Sequence, residues 1–472
     1  MMSCKKLWSD RFSDLPDEVA HHILSFLFVK DLACVGAVSK RCREFYLSVP
    51  LVNLANCYAG GNYQKLGELM CFLDRYMFQR GDNKMQRFYI NWIFHTLGVA
   101  NKDCEELYRI TSWIHNAVRC NVEELNLRFS STYAGFTFGL PSCLYQSKSF
   151  QTLVLVCLNE MTLEAPPLSL SCNLHYLHLN SVTIVDDQRL CKWISYSCKC
   201  IKKLHLINVK GLKHIVILSS SLESFEFSGT DLITLYISGE KLASISINWN
   251  FNSFPGNCSL KISAPNLRKL TWVGKVLNTL DLGKFLNLQT AQIFLEPTVY
   301  HNLSEVFSSI CGTKVLGLNE NTMKAMFKGC SMQTPLPILV LTVYLTSFSN
   351  DTVPIAASLL RRTGLLLSLT ISSNSPIGDP KTISQSSSGF DKEYWESQNL
   401  AFVNHLKVLS IDLSSGSNEI EFAKYILENA PNLKKIVIRY RPGFQQSDTL
   451  QRKMIRCKNI ASRVMVMIHE IR

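Results

Sequence analysis

The stretch that decides the fold runs from residue 174 to residue 206: LHYLHLNSVTIVDDQRLCKWISYSCKCIKKLHL. It opens on LHYLHL (174–179) and closes on IKKLHL (201–206). In an extended chain alternate residues face opposite ways. Leu177, Leu179, Leu204 and Leu206 therefore face one side, and Tyr176, His178, Lys203 and His205 face the other. Between them, Leu190, Trp193, Ile194 and Cys198 carry the spacing of one helical face. The unit reads as a strand, a helical return and a second strand parallel to the first.

The same pattern extends in both directions. Upstream it appears as VEELNL (122–127) and FQTLVL (150–155). Downstream come LESFEF (222–227), LASISI (242–247), LRKLTW (267–272), LQTAQI (288–293), TKVLGL (313–318), LPILVL (336–341), LLLSLT (365–370), LKVLSI (406–411) and LKKIVI (433–438). Most units start about 20–30 residues apart, the period of leucine-rich repeats. One unit cannot bury its apolar face alone, so neighbours stack into a solenoid. Leu153, Leu177, Leu204 and Leu270 are expected inside. Leu303, Val306, Phe307 and Ile310 predict another return helix, whereas LITLYI (232–237) predicts an extended return edge. The array is therefore expected to be irregular. The Ser-rich stretch from Ser372 to Gly389 reads as a mobile loop.

Residues 62–118 read as helical. Leu66, Leu69, Met70, Leu73, Tyr76 and Met77 form one stripe, and Ile110, Trp113, Ile114 and Ala117 another. This segment is expected to cap the first repeat, because solenoid ends need covering.

The chain has 472 residues, with 47% hydrophobic and 18% charged, which marks an ordered globular protein. No apolar run is long enough to span a bilayer, and MMSCKKLWSD lacks the apolar core of a secretory signal. The 17 cysteines are scattered, so reduced thiols in cytoplasm or nucleus are the expectation. The net charge is +12, with its densest run at Arg452, Lys453, Arg456, Lys458 and Arg463. No nucleic-acid-binding motif accompanies that run, which argues against a nucleic-acid partner.

No P-loop, GxGxxG, GxSxG or HExxH motif occurs, so no catalytic residue and no cofactor are expected. Cys191, Cys198 and Cys200 lack a second metal-like pair. His178 and His205 occupy equivalent outward positions in successive repeats, close enough to share a metal, but two imidazoles without a carboxylate partner read as plain surface residues.

At the N-terminus, residues 15–50 read LPDEVAHHILSFLFVKDLACVGAVSKRCREFYLSVP. Ser13 or Asp14 can cap a first helix, and Pro16 suits its first turn. Val19, Ile23, Phe26 and Leu27 form one apolar face. Leu32 to Val38 begins a second helical segment, and Ser39 suits the cap of a third. This segment resembles an F-box, through Leu15, Pro16, Glu18, Val19, Ile23, Ser25, Phe26, Leu27, Asp31, Leu32, Val38, Ser39, Lys40 and Arg41. It departs from the pattern at Phe28, where proline is usual, and at Cys42, where tryptophan is usual. At the other end, residues 394–440 read as strand, amphipathic helix and strand, with Pro431 as the stop. They resemble the FBD domain through Tyr394-Trp395, His405-Leu406-Lys407, Asn418-Glu419-Ile420 and the run from Leu427 to Leu433.

The order of these parts resembles a plant family of F-box proteins with leucine-rich repeats and a terminal FBD. The implied organisation is F-box (1–50), helical bridge (51–118), leucine-rich repeats (119–393), FBD (394–440) and a basic segment (441–472). The fold class is α/β: a small helical F-box, then an irregular solenoid with parallel strands. The resemblance implies a substrate receptor of an SCF-type ubiquitin ligase, docked on a Skp-type adaptor and through it a cullin scaffold. Leu15, Pro16, Ile23, Leu24, Leu27, Leu32 and Val38 would serve adaptor docking. An unidentified protein target would lie on outward strand positions, Tyr176, His178, Lys203, His205 and Lys269 foremost. Two other readings stand beside it: a pure interaction scaffold outside any ligase, and a sensor in which a small molecule bridges repeat and target.

Overall fold

The computed structural model describes residues 11–55, 62–94, 105–131, 136–168, 172–250, 258–296, 303–329, 335–346, 348–373, 390–413, 418–440 and 464–470. The chain forms two units, residues 1–232 and 233–472. Residues 374–389 of the Ser-rich stretch and the basic run at 452–463 lie outside the described residues.

The first unit begins with three short helices, α1 (Asp17–Leu24), α2 (Val29–Gly36) and α3 (Lys40–Ser48). Strand β1 (Leu51–Ala55), helix α4 (Tyr63–Arg80), strand β2 (Arg87–Phe94) and helix α5 (Glu105–Arg119) follow. Next come β3 (Glu124–Ser131), β4 (Phe136–Phe138), α6 (Ser142–Gln146), β5 (Thr152–Leu163) and β6 (Tyr176–Ile184). The unit closes with α7 (Asp187–Lys192), β7 (Lys203–Ile207), β8 (His214–Leu218) and β9 (Ser224–Gly229).

Strands β1, β2, β3, β5, β6, β7 and β9 pair in that order, all parallel. The register is continuous: Val52, Phe88, Leu125, Leu153, Leu177, Leu204 and Phe225 align. All seven are buried. Both helical stripes read from residues 62–118 form: Leu66, Met70, Leu73, Tyr76, Met77, Ile110, Trp113, Ile114 and Ala117 are buried, and Leu69 is half-buried. The segment is not helical throughout, however. Leu51–Ala55 and Arg87–Phe94 are strands in register with the array, so the stacking starts well before residue 120. In RFYINWIF the outward Tyr89 and Ile93 are themselves apolar, which hides the alternation.

The second unit holds two parallel sheets. The smaller contains β10 (Thr234–Ser238), β12 (Ser259–Ser263) and β14 (Thr279–Leu282). It includes the return edge expected at 232–237. The larger takes β11 (Ser244–Trp249), β13 (Lys269–Lys275), β15 (Thr290–Glu296), β16 (Val315–Asn319) and β17 (Val340–Tyr344). It continues through β18 (Ser368–Ser372), β19 (Val408–Asp412), β20 (Lys435–Tyr440) and β21 (Met465–Glu470). Helices α8 (Leu303–Ile310), α9 (Glu320–Gly329), α10 (Val353–Leu360), α11 (Lys392–Ser397) and α12 (Asn418–Asn429) return the chain between strands. Residues 408–440 therefore have the strand–helix–strand order expected, and β21 adds one strand beyond them.

Two repeats sit in a different frame from the one read in the sequence. Leu316 and Leu318 align with Leu341 and Val343, and Leu369 and Ile371 follow. The unit read at 336 is thus displaced by two residues and the one at 365 by one. Consecutive apolar residues, as in Leu365-Leu366-Leu367, leave the period ambiguous.

Polar side chains close several of the turns. Asn173, Asn266 and Asn432 donate from Nδ2 to the carbonyls of Lys148, Glu240 and Asn404, at 2.9, 2.8 and 2.7 Å. Each reaches back one repeat, satisfying a carbonyl that the turn would otherwise leave bare. Ser149 and Ser221 do the same for Val122 and Ile201 at 3.0 and 2.8 Å. Tight stacking also selects glycine at one strand position. Gly274 has φ 138°, and a Cβ there would lie 1.9 Å from the Trp249 carbonyl oxygen.

Candidate interaction surfaces

The N-terminal helices make a module with two faces. Ala20, Leu24, Val29, Leu32, Cys42, Phe45, Tyr46 and Val49 are buried. Ser39 caps α3 as expected, accepting from the Cys42 amide at 3.0 Å. Helix α1 starts differently: Pro16 is its N-cap, and no side chain caps it. Ser13 instead pairs with the Ser39 hydroxyl at 3.0 Å, which ties the entering chain to α3. Arg41 bridges Asp17 of α1 and Glu44 of α3 and lies 4.3 Å from the Phe45 ring centroid. Tyr46 meets Tyr76 of α4, ring centroids 4.9 Å apart, so the module is seated on the first return helix.

The apolar face of α1 does not enter this core. Val19 and Ile23 are 44% and 43% exposed, Phe26 75% and Val38 70%. Of the sequence-derived adaptor residues, Pro16, Ile23 and Val38 are presented, Leu15 and Leu27 are half-buried, and Leu24 and Leu32 are interior. Val19 and Phe26 belong to the presented set too. Helical period alone could not tell the inward stripe from the outward one. At Phe28 the backbone has φ −73°, an angle that proline would also adopt.

The open face of the first unit's sheet is the second surface. Its middle row runs Asn53, Tyr89, Asn126, Val154, His178, His205, Glu226 across seven registered strands. Tyr176 links the histidines, its hydroxyl 3.1 Å from Nδ1 of His178 and 3.1 Å from Nδ1 of His205. Glu226 Oε2 lies 3.7 Å from His205 Nδ1. Burial holds His178 below the usual imidazole range, with His205 adding to the effect. Burial does the same at His205, partly offset by Glu226. Burial also pushes the Tyr176 phenol up. Nearer β1, Arg87 pairs with Glu124 at 3.0 Å, and Arg128 lies 5.7 Å from the Tyr89 ring centroid.

Tyr176, His178, Lys203 and His205 are thus brought together on β6 and β7. Lys269 is exposed on β13 of the second unit, in a different setting. Among the described residues no group of three or more His, Cys, Asp or Glu is placed to hold a metal ion, and no helix is long and apolar enough to cross a membrane.

A three-helix module with an outward apolar face, followed by stacked leucine-patterned strands, defines an F-box and leucine-rich-repeat protein. The chain belongs to the family described as "At1g61320/AtMIF1, LRR domain", which matches residues 93–471, and residues 12–48 match the family described as F-box-like. Its relatives include the putative F-box/FBD/LRR-repeat protein At4g03220 of Arabidopsis thaliana, 25% identical across 95% of this chain and 92% of the relative. The FBD-associated F-box protein At1g66310 of the same plant is 25% identical across 91% of this chain and 89% of its own length. The F-box/LRR-repeat protein At3g59200, also from Arabidopsis, reaches 32% identity over 33% of this chain and 28% of its own.

Proposed function

We propose that this protein is the substrate receptor of an SCF-type ubiquitin ligase. The F-box docks on a Skp-type adaptor that joins a cullin scaffold, and the repeats hold a target protein. Residues 394–440 act as the FBD named in two of the relatives, and the protein works in cytoplasm or nucleus. It performs no bond chemistry itself. It raises the effective concentration of target lysines near a charged conjugating enzyme, so its contribution is proximity.

The observation that carries this reading is the unused apolar face of the F-box. Isolated apolar side chains are common on surfaces, but Val19, Ile23, Phe26 and Val38 are four exposed apolar side chains within one module of about forty residues. Paired substitution of Ile23→Asp and Phe26→Asp should abolish co-purification with a Skp-type adaptor, and Leu15→Ala with Pro16→Ala should weaken it. Circular dichroism should show the repeats still folded. Unchanged co-purification of the Asp pair would overturn the ligase assignment and leave the scaffold reading.

A further inference from the structure

The strands of the second unit's larger sheet are entered through turns that stack on one another. A ladder of backbone bonds of 2.8–3.1 Å links Ala243, Arg268, Gln289, Lys314, Leu339, Leu367, Lys407 and Lys434, each amide donating to the carbonyl of the residue named before it. Beside this row runs the first row of strand residues: Ser244, Lys269, Thr290, Val315, Val340, Ser368, Val408 and Lys435. Neither row contains an Asp or Glu. Arg268, Lys269, Lys314, Lys407 and Lys434 are exposed, and Lys435 is half-buried. None of these cations has an ion pair or a side-chain hydrogen bond among the described residues. The first unit differs at the equivalent rows. There Glu123 pairs with Lys84 at 2.8 Å, and Glu124 with Arg87 at 3.0 Å.

The cations fall into two groups. Arg268, Lys269 and Lys314 belong to β13 and β16, and Lys407, Lys434 and Lys435 to β19 and β20. Between them the two rows turn apolar, with Leu339, Val340 and Leu367 half-buried. Three strand spacings, about 14 Å, separate Lys314 from Lys407, and six, about 29 Å, separate β13 from β20. An extended polypeptide covers about 3.3 Å per residue, so about four residues bridge the apolar waist and about nine the whole strip. A nucleic acid fits poorly. Its phosphates recur without a break, whereas the waist offers only aliphatic groups, and neither row has an aromatic side chain on which a base could stack. Carboxylates at two ends of a short apolar run match both the charge and its interruption.

We infer that this strip docks an extended acidic segment of a partner protein, with Asp or Glu near each end and apolar residues laid across Leu339 and Leu367. The assignment holds for a partner inside or outside a ligase.

Fluorescence anisotropy with the full chain tests it. The probe is a labelled peptide of about ten residues, with an Asp-Glu pair at each end and Leu and Val between. It should bind saturably at about 0.1 M salt. The same peptide with Asn and Gln at its ends should not bind, and a scrambled peptide with its acids central should bind more weakly. Arg268→Gln with Lys269→Gln, and Lys407→Gln with Lys434→Gln, should each weaken binding about fivefold, the worth of two exposed ion pairs. Lys202→Gln with Lys203→Gln makes the same charge change at exposed lysines of the first unit and should leave binding unaltered. No saturable binding, equal binding of the scrambled peptide, or an equal loss on changing Lys202 and Lys203 overturns the assignment. Tighter binding of a single-stranded oligonucleotide, or of vesicles containing phosphatidylserine, marks a nucleic-acid or membrane surface and overturns it too. Adaptor co-purification tests the ligase reading separately, and the failure of either leaves the other standing.

Discussion

The two units use one backbone plan for different outward chemistry. In the first, the middle row reads Asn53, Tyr89, Asn126, Val154, His178, His205, Glu226. In the second, it reads Ser246, Thr271, Gln292, Gly317, Thr342, Thr370, Ser410, Val437, Met467. The inward rows are alike, with leucine, isoleucine, valine, phenylalanine or tryptophan at nearly every place. Stacking demands apolar bulk inside and leaves the outside free. The first unit fills that freedom with rings, amides and charge, the second with neutral groups, most of them small. Along this row the ionisable and aromatic side chains therefore lie in the first unit.

The largest effects should be shared by both units, because they come from the inward rows. Leu153→Ala or Leu177→Ala in the first unit, and Leu270→Ala or Leu409→Ala in the second, should each cost about 2–5 kcal/mol in urea unfolding. All four leucines are 1% exposed or less. A cost below 1 kcal/mol at any of them would break the common plan. Gly274→Ala should follow, at about 1–3 kcal/mol from the backbone conformation alone, with the clash on the Trp249 carbonyl added. Thermal melting checks it, and a neutral result would mean the strands separate locally.

The outward rows should then tell the units apart. Tyr176→Phe removes the hydroxyl that two imidazoles share and should cost about 0.5–1.5 kcal/mol. Thr370→Val, in the equivalent row of the second unit, should stay within about 0.5 kcal/mol. Equal costs, measured by the same urea titrations, would erase the contrast.

Much of this architecture was legible in the chain. The buried leucines at 153, 177, 204 and 270 follow from alternation, and the return helices at 190–198 and 303–310 from their apolar spacing. Where apolar residues adjoin, at 336–341 and 365–370, the frame was lost. Where outward residues are aromatic or apolar, at 87–94, a whole strand was read as helix. The asparagines before Leu174, Leu267 and Leu433 offered a recurring Asn-Leu signal that the leucine pattern overshadowed. The candidate site was half legible. Outward alternation put Tyr176, His178, Lys203 and His205 on one face, but the hydroxyl shared between two rings depends on rotamers. The F-box face shows the same limit, since period gives a stripe but not the side it turns to.

The smallest effect should appear with pH, and it separates the units most cleanly. His178 and His205 both have pKa values lowered from an ordinary 6.5, burial being the first cause in each. The groups around them are Glu226 on β9, Lys203 on β7, Tyr176 on β6 and Arg128 on β3. A histidine with a lowered folded pKa binds fewer protons folded than unfolded at intermediate pH. Stability is then fully present above the unfolded value and falls as pH drops through 6.5 toward the folded pKa, below which the loss is complete. Hydrogen exchange corrected for intrinsic rates should show the amides of 176–180 and 203–207 losing protection as pH drops below about 6.5. Amides of 341–343 and 369–371, whose middle-row neighbours are threonines, should change less. Replacing His178 and His205 together with Gln should flatten the first unit's profile. If the double variant loses protection as steeply as the wild type, the imidazole pair is not the source of the acid sensitivity, and the chemical contrast between the two rows has no energetic counterpart.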